Sequence, residues 1–255
     1  DSMCYSVSQA IISAQLKSNY LDIDINTLNV KSSDYLINEQ SSFILGVHGY
    51  GYSQDFSYLN QNNLIEDASL TWPLKGNKVG TFGIASVFSF GGGKPYECGS
   101  GGLIGTDDLS LYNQILCLQK KNKRVNYKGV NLSKSHTKMY NEKNLSKFKS
   151  ILDRNSFEFL SRRSCGSSLK KISEYIIENQ KIILDSYNFY QTKFKKNSDY
   201  NFFNLKEGDH PWRFNYLMNS KNERDLFLKK NLQIGNKVSS WHMSLSSYLE
   251  ESQPI

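Results

Sequence analysis

Proline is scarce in this chain, four in 255 residues. Proline interrupts helices and is excluded from sheet interiors, so its rarity leaves room for long, solvated helices. Cysteine is nearly as rare. Cys4, Cys98, Cys117 and Cys165 are widely spaced and contain no CxxC pair, which argues against a zinc site. A chain of this length builds a core without needing two disulfides, so the four are read as reduced thiols. No apolar run approaches the ~18 residues of a membrane span, and no charged-then-apolar leader opens the sequence. Charge of one sign is not concentrated either. The formal charge is +7, from 31 Lys and Arg against 24 Asp and Glu, but it is spread out. The densest basic run, Lys120, Lys121, Lys123 and Arg124, has no interleaved aromatics. Nucleic-acid binding needs a continuous basic groove, so these residues read as a solvated surface.

What is present is aromatic and patterned. Tyr (16) and Phe (14) supply most of the 13% aromatic content. Val7, Ala10, Ile11 and Leu16 recur at helical spacing and predict a helix from Ser6 to about Lys17. The run 42–47 predicts a short buried strand entering the turn His48, Gly49, Tyr50, Gly51. From 71 to 105, glycines punctuate loop and short strand rather than helix. Helices are predicted at about 107–121, 145–160 and 167–194. The last carries Leu169, Ile172, Ile176, Ile183, Tyr187 and Tyr190 on one face. Two short helical pieces are predicted at 212–217 and 222–230, Gly235 makes a turn, and 238–245 alternates like a closing strand.

The two ends suggest chemistry. Cys4 precedes an apolar helix, and a helix N-terminus favours a thiolate through its dipole and free N–H groups. His242 lies on the late strand, beside Trp241. Thiol catalysis needs a base beside the sulfur and donors aimed at the oxyanion. The reading therefore makes Cys4 nucleophile and His242 base. These segments resemble the cysteine and histidine motifs of OTU-family deubiquitinases. Against the family pattern D-G-x-C-[LF]-[FY]-x-[AS]-[ILV], Asp1, Cys4 and Ser8 match and Tyr5 places an aromatic where the pattern has Leu or Phe, while Ser2, Ser6 and Gln9 depart from it. His242, Met243 and Leu245 match the histidine strand, and Ser244 stands where the family often has Asp or Asn. The helical stretch between is similar to the insertions of OTU effector proteases of Legionella.

The resemblance implies an α+β, papain-like cysteine protease core with a large helical insertion. It implies one catalytic domain over 1–255, with roughly 107–200 as a ubiquitin-binding subdomain. The expected activity is cleavage of ubiquitin isopeptide bonds by a monomer, an effector working in the reducing host cytosol. Asp1 would orient His242, backbone N–H groups of Ser2, Met3 and Cys4 would hold the oxyanion, and Trp241 would line the channel for ubiquitin's glycine tail. No metal and no organic cofactor is expected. The partner is ubiquitin or polyubiquitin, not nucleic acid. A deamidase or other thiol hydrolase is the alternative enzyme, and a ubiquitin- or host-protein-binding module the non-enzymatic one. Since Asp1 already lies inside a motif, the natural chain is expected to start earlier or to be longer.

Other constellations fit less well. His48 to Gly51 with Ser89 imitates an α/β-hydrolase, but Val87 occupies a place that needs a small residue. The same His48 and Gly49 imitate an ADP-ribosyltransferase site, but Phe82 stands where a tyrosine is wanted. Gly91 to Gly102 is no phosphate loop, since no GKS or GKT follows. Asp107 and Asp108 read as a helix start, and His136 and His210 as surface residues.

Overall fold

The computed structural model describes residues 4–37, 43–91, 93–97, 101–121, 167–194 and 201–238. The chain enters through α1 (Tyr5–Ser13). This helix stops short of the predicted Lys17, and Gln15 takes a left-handed φ of 58° just beyond it. Ser8 is buried and accepts a hydrogen bond from Tyr20 Oη at 2.8 Å. A short helix, α2 (Ser32–Ile37), leads to the sheet.

Four strands form that sheet in chain order: β1 (Ile44–Val47), β2 (Leu64–Asp67), β3 (Ala85–Ser89) and β4 (Gly102–Gly105). β1, β2 and β3 are parallel, with Val47 opposite Asp67 and Asp67 opposite Val87. β4 closes the edge antiparallel, Ser89 opposite Gly102. The expected papain-like α+β core is therefore corrected: the described residues build a mainly parallel sheet, whose strands need crossovers rather than tight turns. Parallel strands bury both faces and read as apolar runs, which suits Ile44 to Val47. β2 escapes prediction because half of it is Glu66 and Asp67, residue types depleted from strands.

Two helices stand where the periodicity predicts them, α3 (Leu109–Lys121) and the 28-residue α4 (Ser167–Phe194). Side chains alternate across the sheet, so Leu64 and Glu66 share one face, Ile65 and Asp67 the other. Two apolar clusters lie on the Leu64 and Glu66 side. Tyr35, Ile44, Phe56, Leu59 and Leu64 make one. Ala68, Val79, Phe88, Phe90, Tyr96 and Ile176 make the second, with Trp72 and Ile172 against it. Ile172 and Ile176 come from α4, which is thereby packed onto the sheet. Tyr187, further along α4, is buried and donates to the Phe203 carbonyl at 2.7 Å.

The last described part pairs β5 (Asn201–Phe202) with β6 (Tyr216–Leu217) and ends in α5 (Lys221–Gln233). The predicted helical piece at 212–217 is thus a turn into a strand. Ser220 caps α5 by accepting from Glu223 N at 3.2 Å. Gly235 turns with φ 83° as expected. The helix predicted at 145–160 and, apart from Val238, the strand at 238–245 lie outside the described residues.

Candidate active site

The C-terminal ends of parallel strands are where open α/β sheets collect ligand-binding groups, because the crossovers leave a crevice there. In this chain that edge receives His48 after β1, Asp67 at the end of β2 and the loop 90–97 after β3.

His48 and Glu66 form the rigid base of the edge. Both side chains are wholly buried, and His48 Nε2 lies 3.1 Å from Glu66 Oε2. Gln54 N donates to His48 Nδ1 at 3.0 Å, which leaves the ring proton on Nε2, directed at the carboxylate. Glu66 also accepts from three main-chain amides: Gly80 N at 2.7 Å, Phe82 N at 2.7 Å and Gly83 N at 2.9 Å. Burial pushes this carboxyl up, but the His48 hydrogen bond and the Gly83 and Gly80 amides outweigh it and hold it below its ordinary value. The acid therefore stays ionised in a dry place, and it ties β1, β2 and the loop 80–83 together.

Asp67, the next residue, points to the other face. It is 8% exposed. Its Oδ1 accepts from Ser69 N at 2.9 Å and from Ser69 Oγ. Among the described residues Oδ2 accepts no hydrogen bond. Val47 and Val87, its register partners, flank it on the same face with apolar surface. The product is an oriented carboxylate with one oxygen to spare beside a flat apolar patch, suited to a cationic or protonated ring nitrogen.

Lys94 follows β3. It is half-buried, and its main-chain N–H bonds the Gly91 carbonyl at 3.2 Å, making a turn. Gly93 before it has φ 77° and open space around it, so the loop can carry an amine without crowding. Among the described residues no carboxylate pairs with that amine. Beyond it, Tyr96 Oη lies 2.8 Å from His210 Nδ1, with both residues buried. The placing of His210 on the surface is thereby corrected: its ring packs on Tyr96, with centroids 5.1 Å apart. Burial pushes it down to about 4.

The sequence-derived candidates fall elsewhere. Cys4 is exposed, immediately before α1, and Ser6 Oγ donates to its sulfur at 3.1 Å. Asp1, Ser2, Met3, Trp241 and His242 lie outside the described residues. Sequence reasoning misses Asp67 and Lys94. Their only signal is two carboxylates closing an apolar run, and a lysine after three glycines in a stretch that fails as a phosphate loop.

Comparison with known proteins gives a different family from the one expected. The model of the DegT/DnrJ/EryC1/StrS aminotransferase family matches residues 4–163. GDP-perosamine synthase of Escherichia coli O157:H7 is 36% identical over 107 residues, 38% of this chain and 29% of that protein. GDP-4-keto-6-deoxy-D-mannose 3-dehydratase of Escherichia coli O55:H7 is 31% identical over 114 residues, 41% of this chain and 29% of that protein. The matched part thus spans about three-tenths of these curated relatives. Among solved structures, an E. coli GDP-4-keto-6-deoxy-D-mannose-3-dehydratase with bound hydrated PLP shares the fold at a TM-score of 0.65 and 18% identity, over 99% of this chain and 69% of that one. The Helicobacter pylori aminotransferase PseC does so at 0.67 and 18%, over 98% and 66%. These findings overturn the OTU resemblance, the papain-like fold, the cysteine deubiquitinase activity and ubiquitin as partner. The deamidase and binding-module alternatives fall with them.

Proposed function

We propose that this chain, which belongs to the DegT/DnrJ/EryC1/StrS aminotransferase family, carries the pyridoxal-phosphate site of an enzyme that transfers an amino group to a nucleotide-linked keto sugar. The observation that carries the reading is that Asp67 ends β2 while Lys94 lies in the loop that follows its parallel neighbour β3. Such a site needs a lysine amine and an acid facing the pyridine nitrogen. The residues fit. Asp67 keeps Oδ2 free of protein donors among the described residues, and its Oδ1 is pinned by Ser69. Lys94 presents an amine without a competing carboxylate there.

When bound, the cofactor supplies an electron sink for charge on the carbon beside the reacting nitrogen. Asp67 would hold the ring nitrogen protonated, because a fixed negative charge beside it favours the cationic form. Lys94 Nζ would hold the cofactor at its aldehyde group. His48 and Glu66 keep the strand that bears Asp67 from shifting. The sugar-nucleotide substrate class is supported by the names of the relatives, GDP-perosamine synthase and GDP-4-keto-6-deoxy-D-mannose 3-dehydratase.

The test is covalent trapping. The chain is incubated with pyridoxal phosphate, reduced with borohydride, and mapped by peptide mass spectrometry. The adduct is expected on Lys94 and lost in Lys94→Ala. Asp67→Asn is expected to weaken cofactor binding about tenfold, the scale of one charge-assisted hydrogen bond. Labelling spread equally over surface lysines, and unaltered in Lys94→Ala, would overturn the reading. A GDP-linked 4-keto sugar offered with an amino-acid donor is expected to yield an amino sugar. A deoxy sugar without nitrogen would assign dehydration instead.

A further inference from the structure

One short segment, 206–212, bonds the connections that follow all three parallel strands. After β1, His210 N donates to the Gly51 carbonyl at 2.9 Å and Trp212 N to the Tyr50 carbonyl at 2.8 Å. Asp209 Oδ1 accepts from Ser53 N at 2.8 Å. After β2, Asn77 Nδ2 donates to the Gly208 carbonyl at 2.7 Å. After β3, Trp212 Nε1 donates to the Gly93 carbonyl at 2.9 Å, and His210 Nδ1 meets Tyr96 Oη at 2.8 Å. The last two contacts bracket Lys94, one residue before it and two after.

The two sides of this clasp differ in how many main-chain hydrogen bonds hold them. His210 is held by its own main chain and by the bonds of its neighbours to 50–53. The loop 93–97 belongs to no strand, and Gly93 and Glu97 are exposed. Tyr96, 2% exposed, is its buried anchor. The anchor also carries a cost. His210 Nε2 is buried without a hydrogen-bond partner among the described residues, and an unpaired buried polar atom is destabilising. Two apolar side chains would hold the loop by packing without that cost. What the polar pair adds is direction, because a hydrogen bond specifies distance and angle where packing does not.

We propose that Tyr96 and His210 are positioning residues for Lys94: their buried hydrogen bond sets where the lysine-bearing loop stands relative to Asp67. The inference rests on the reading of Lys94 as the cofactor's amine. Neither residue touches the reacting atoms. They act through the loop, so their loss changes how Lys94 is presented as well as how stable the fold is.

The experiment compares wild type with Tyr96→Phe, His210→Asn and Tyr187→Phe. Tyr187 is a control of equal burial, 2% exposed, whose hydroxyl bonds the Phe203 carbonyl and the Tyr52 hydroxyl rather than the lysine loop. Each protein is assayed for melting temperature, affinity for pyridoxal phosphate, and the pH dependence of the bound cofactor's absorbance. Tyr96→Phe is expected to weaken affinity about tenfold, as one buried hydrogen bond does, and to displace the absorbance titration. His210→Asn keeps an acceptor near Nδ1 and is expected to lie closer to wild type. Tyr187→Phe is expected to melt lower with affinity and titration unchanged. If Tyr96→Phe behaves like Tyr187→Phe, the pair is structural and the inference is overturned. If wild type itself forms no adduct at Lys94, the cofactor reading fails first and takes this one with it. Should Tyr96→Phe not fold, Trp212→Phe removes the donor to the Gly93 carbonyl from a half-buried position. A loss of about threefold in affinity supports the proposal, and no change overturns it.

Discussion

Glu66 shows how much one side chain can organise. Its two oxygens receive His48 Nε2 and three main-chain amides, with none of it exposed. Glu66→Gln keeps the shape but replaces one acceptor oxygen with a donor facing those amides. It is expected to cost about 3 kcal/mol at neutral pH, measured by urea unfolding. The pH dependence follows from sign. A carboxyl held below its ordinary value of 4.5 contributes stability in full above that value, and loses it as pH falls through the lower folded value. His210 works in a higher window. Its folded value of about 4 against 6.5 means that the unfolded chain takes up the proton first. Stability is then complete above 6.5 and declines as pH falls towards 4, by about 3 kcal/mol for a shift of this size. Melting curves from pH 8 to 4 should show this slope in wild type and lose it in His210→Asn.

At the scale of elements, the helices divide by what holds them. α4 is held by packing: Ile176 is fully buried among Phe88, Phe90 and Tyr96. Ile176→Ala is expected to cost about 2–5 kcal/mol. α5 buries no side chain and depends on local terms, so Ser220→Ala should cost about 1 kcal/mol through the lost cap. Guanidinium denaturation of both variants checks the contrast. Elements with a local signature are legible in the amino-acid order alone. The face of Ile172, Ile176, Ile183 and Tyr187 marks α4, and the run into Val47 marks β1. β2 is illegible because its signature is inverted, acids in a buried strand, and they make sense only beside the His48 ring and the 80–83 amides. The short β6 imitates helix because a two-residue strand has no periodicity to read.

At the scale of the whole molecule, chain ends and middle exchange roles. The thiol reading places the site on residues 4 and 242, whereas the proposed cofactor site lies on residues 67 and 94. The crossing at Gly51 tests how tightly the segment 206–212 is seated. Gly51 has φ 90°, and a Cβ there would overlap the His210 carbonyl. Gly51→Ala is therefore expected to destabilise by more than about 3 kcal/mol and to release Tyr96 as well. A fall in melting temperature together with new hydrogen exchange at the amides of 93–97 would register both effects.

Taken alone, the amino-acid order determined the helices α3 and α4, the apolar strand β1, the glycine-rich character of 71–105 and the turn at Gly235. Each of these depends on neighbours within a few residues, and periodicity or backbone preference records such neighbours. The tertiary structure alone decided that β1, β2 and β3 run parallel, that Asp67 and the loop bearing Lys94 follow neighbouring strands, and that His210 is buried against Tyr96. Those relations join residues 20 to more than 100 positions apart, such as His210 with Tyr96 and Gly208 with Asn77. Contacts at that separation come from how crossovers fold back on a sheet, and they leave no periodic mark in either partner's surroundings.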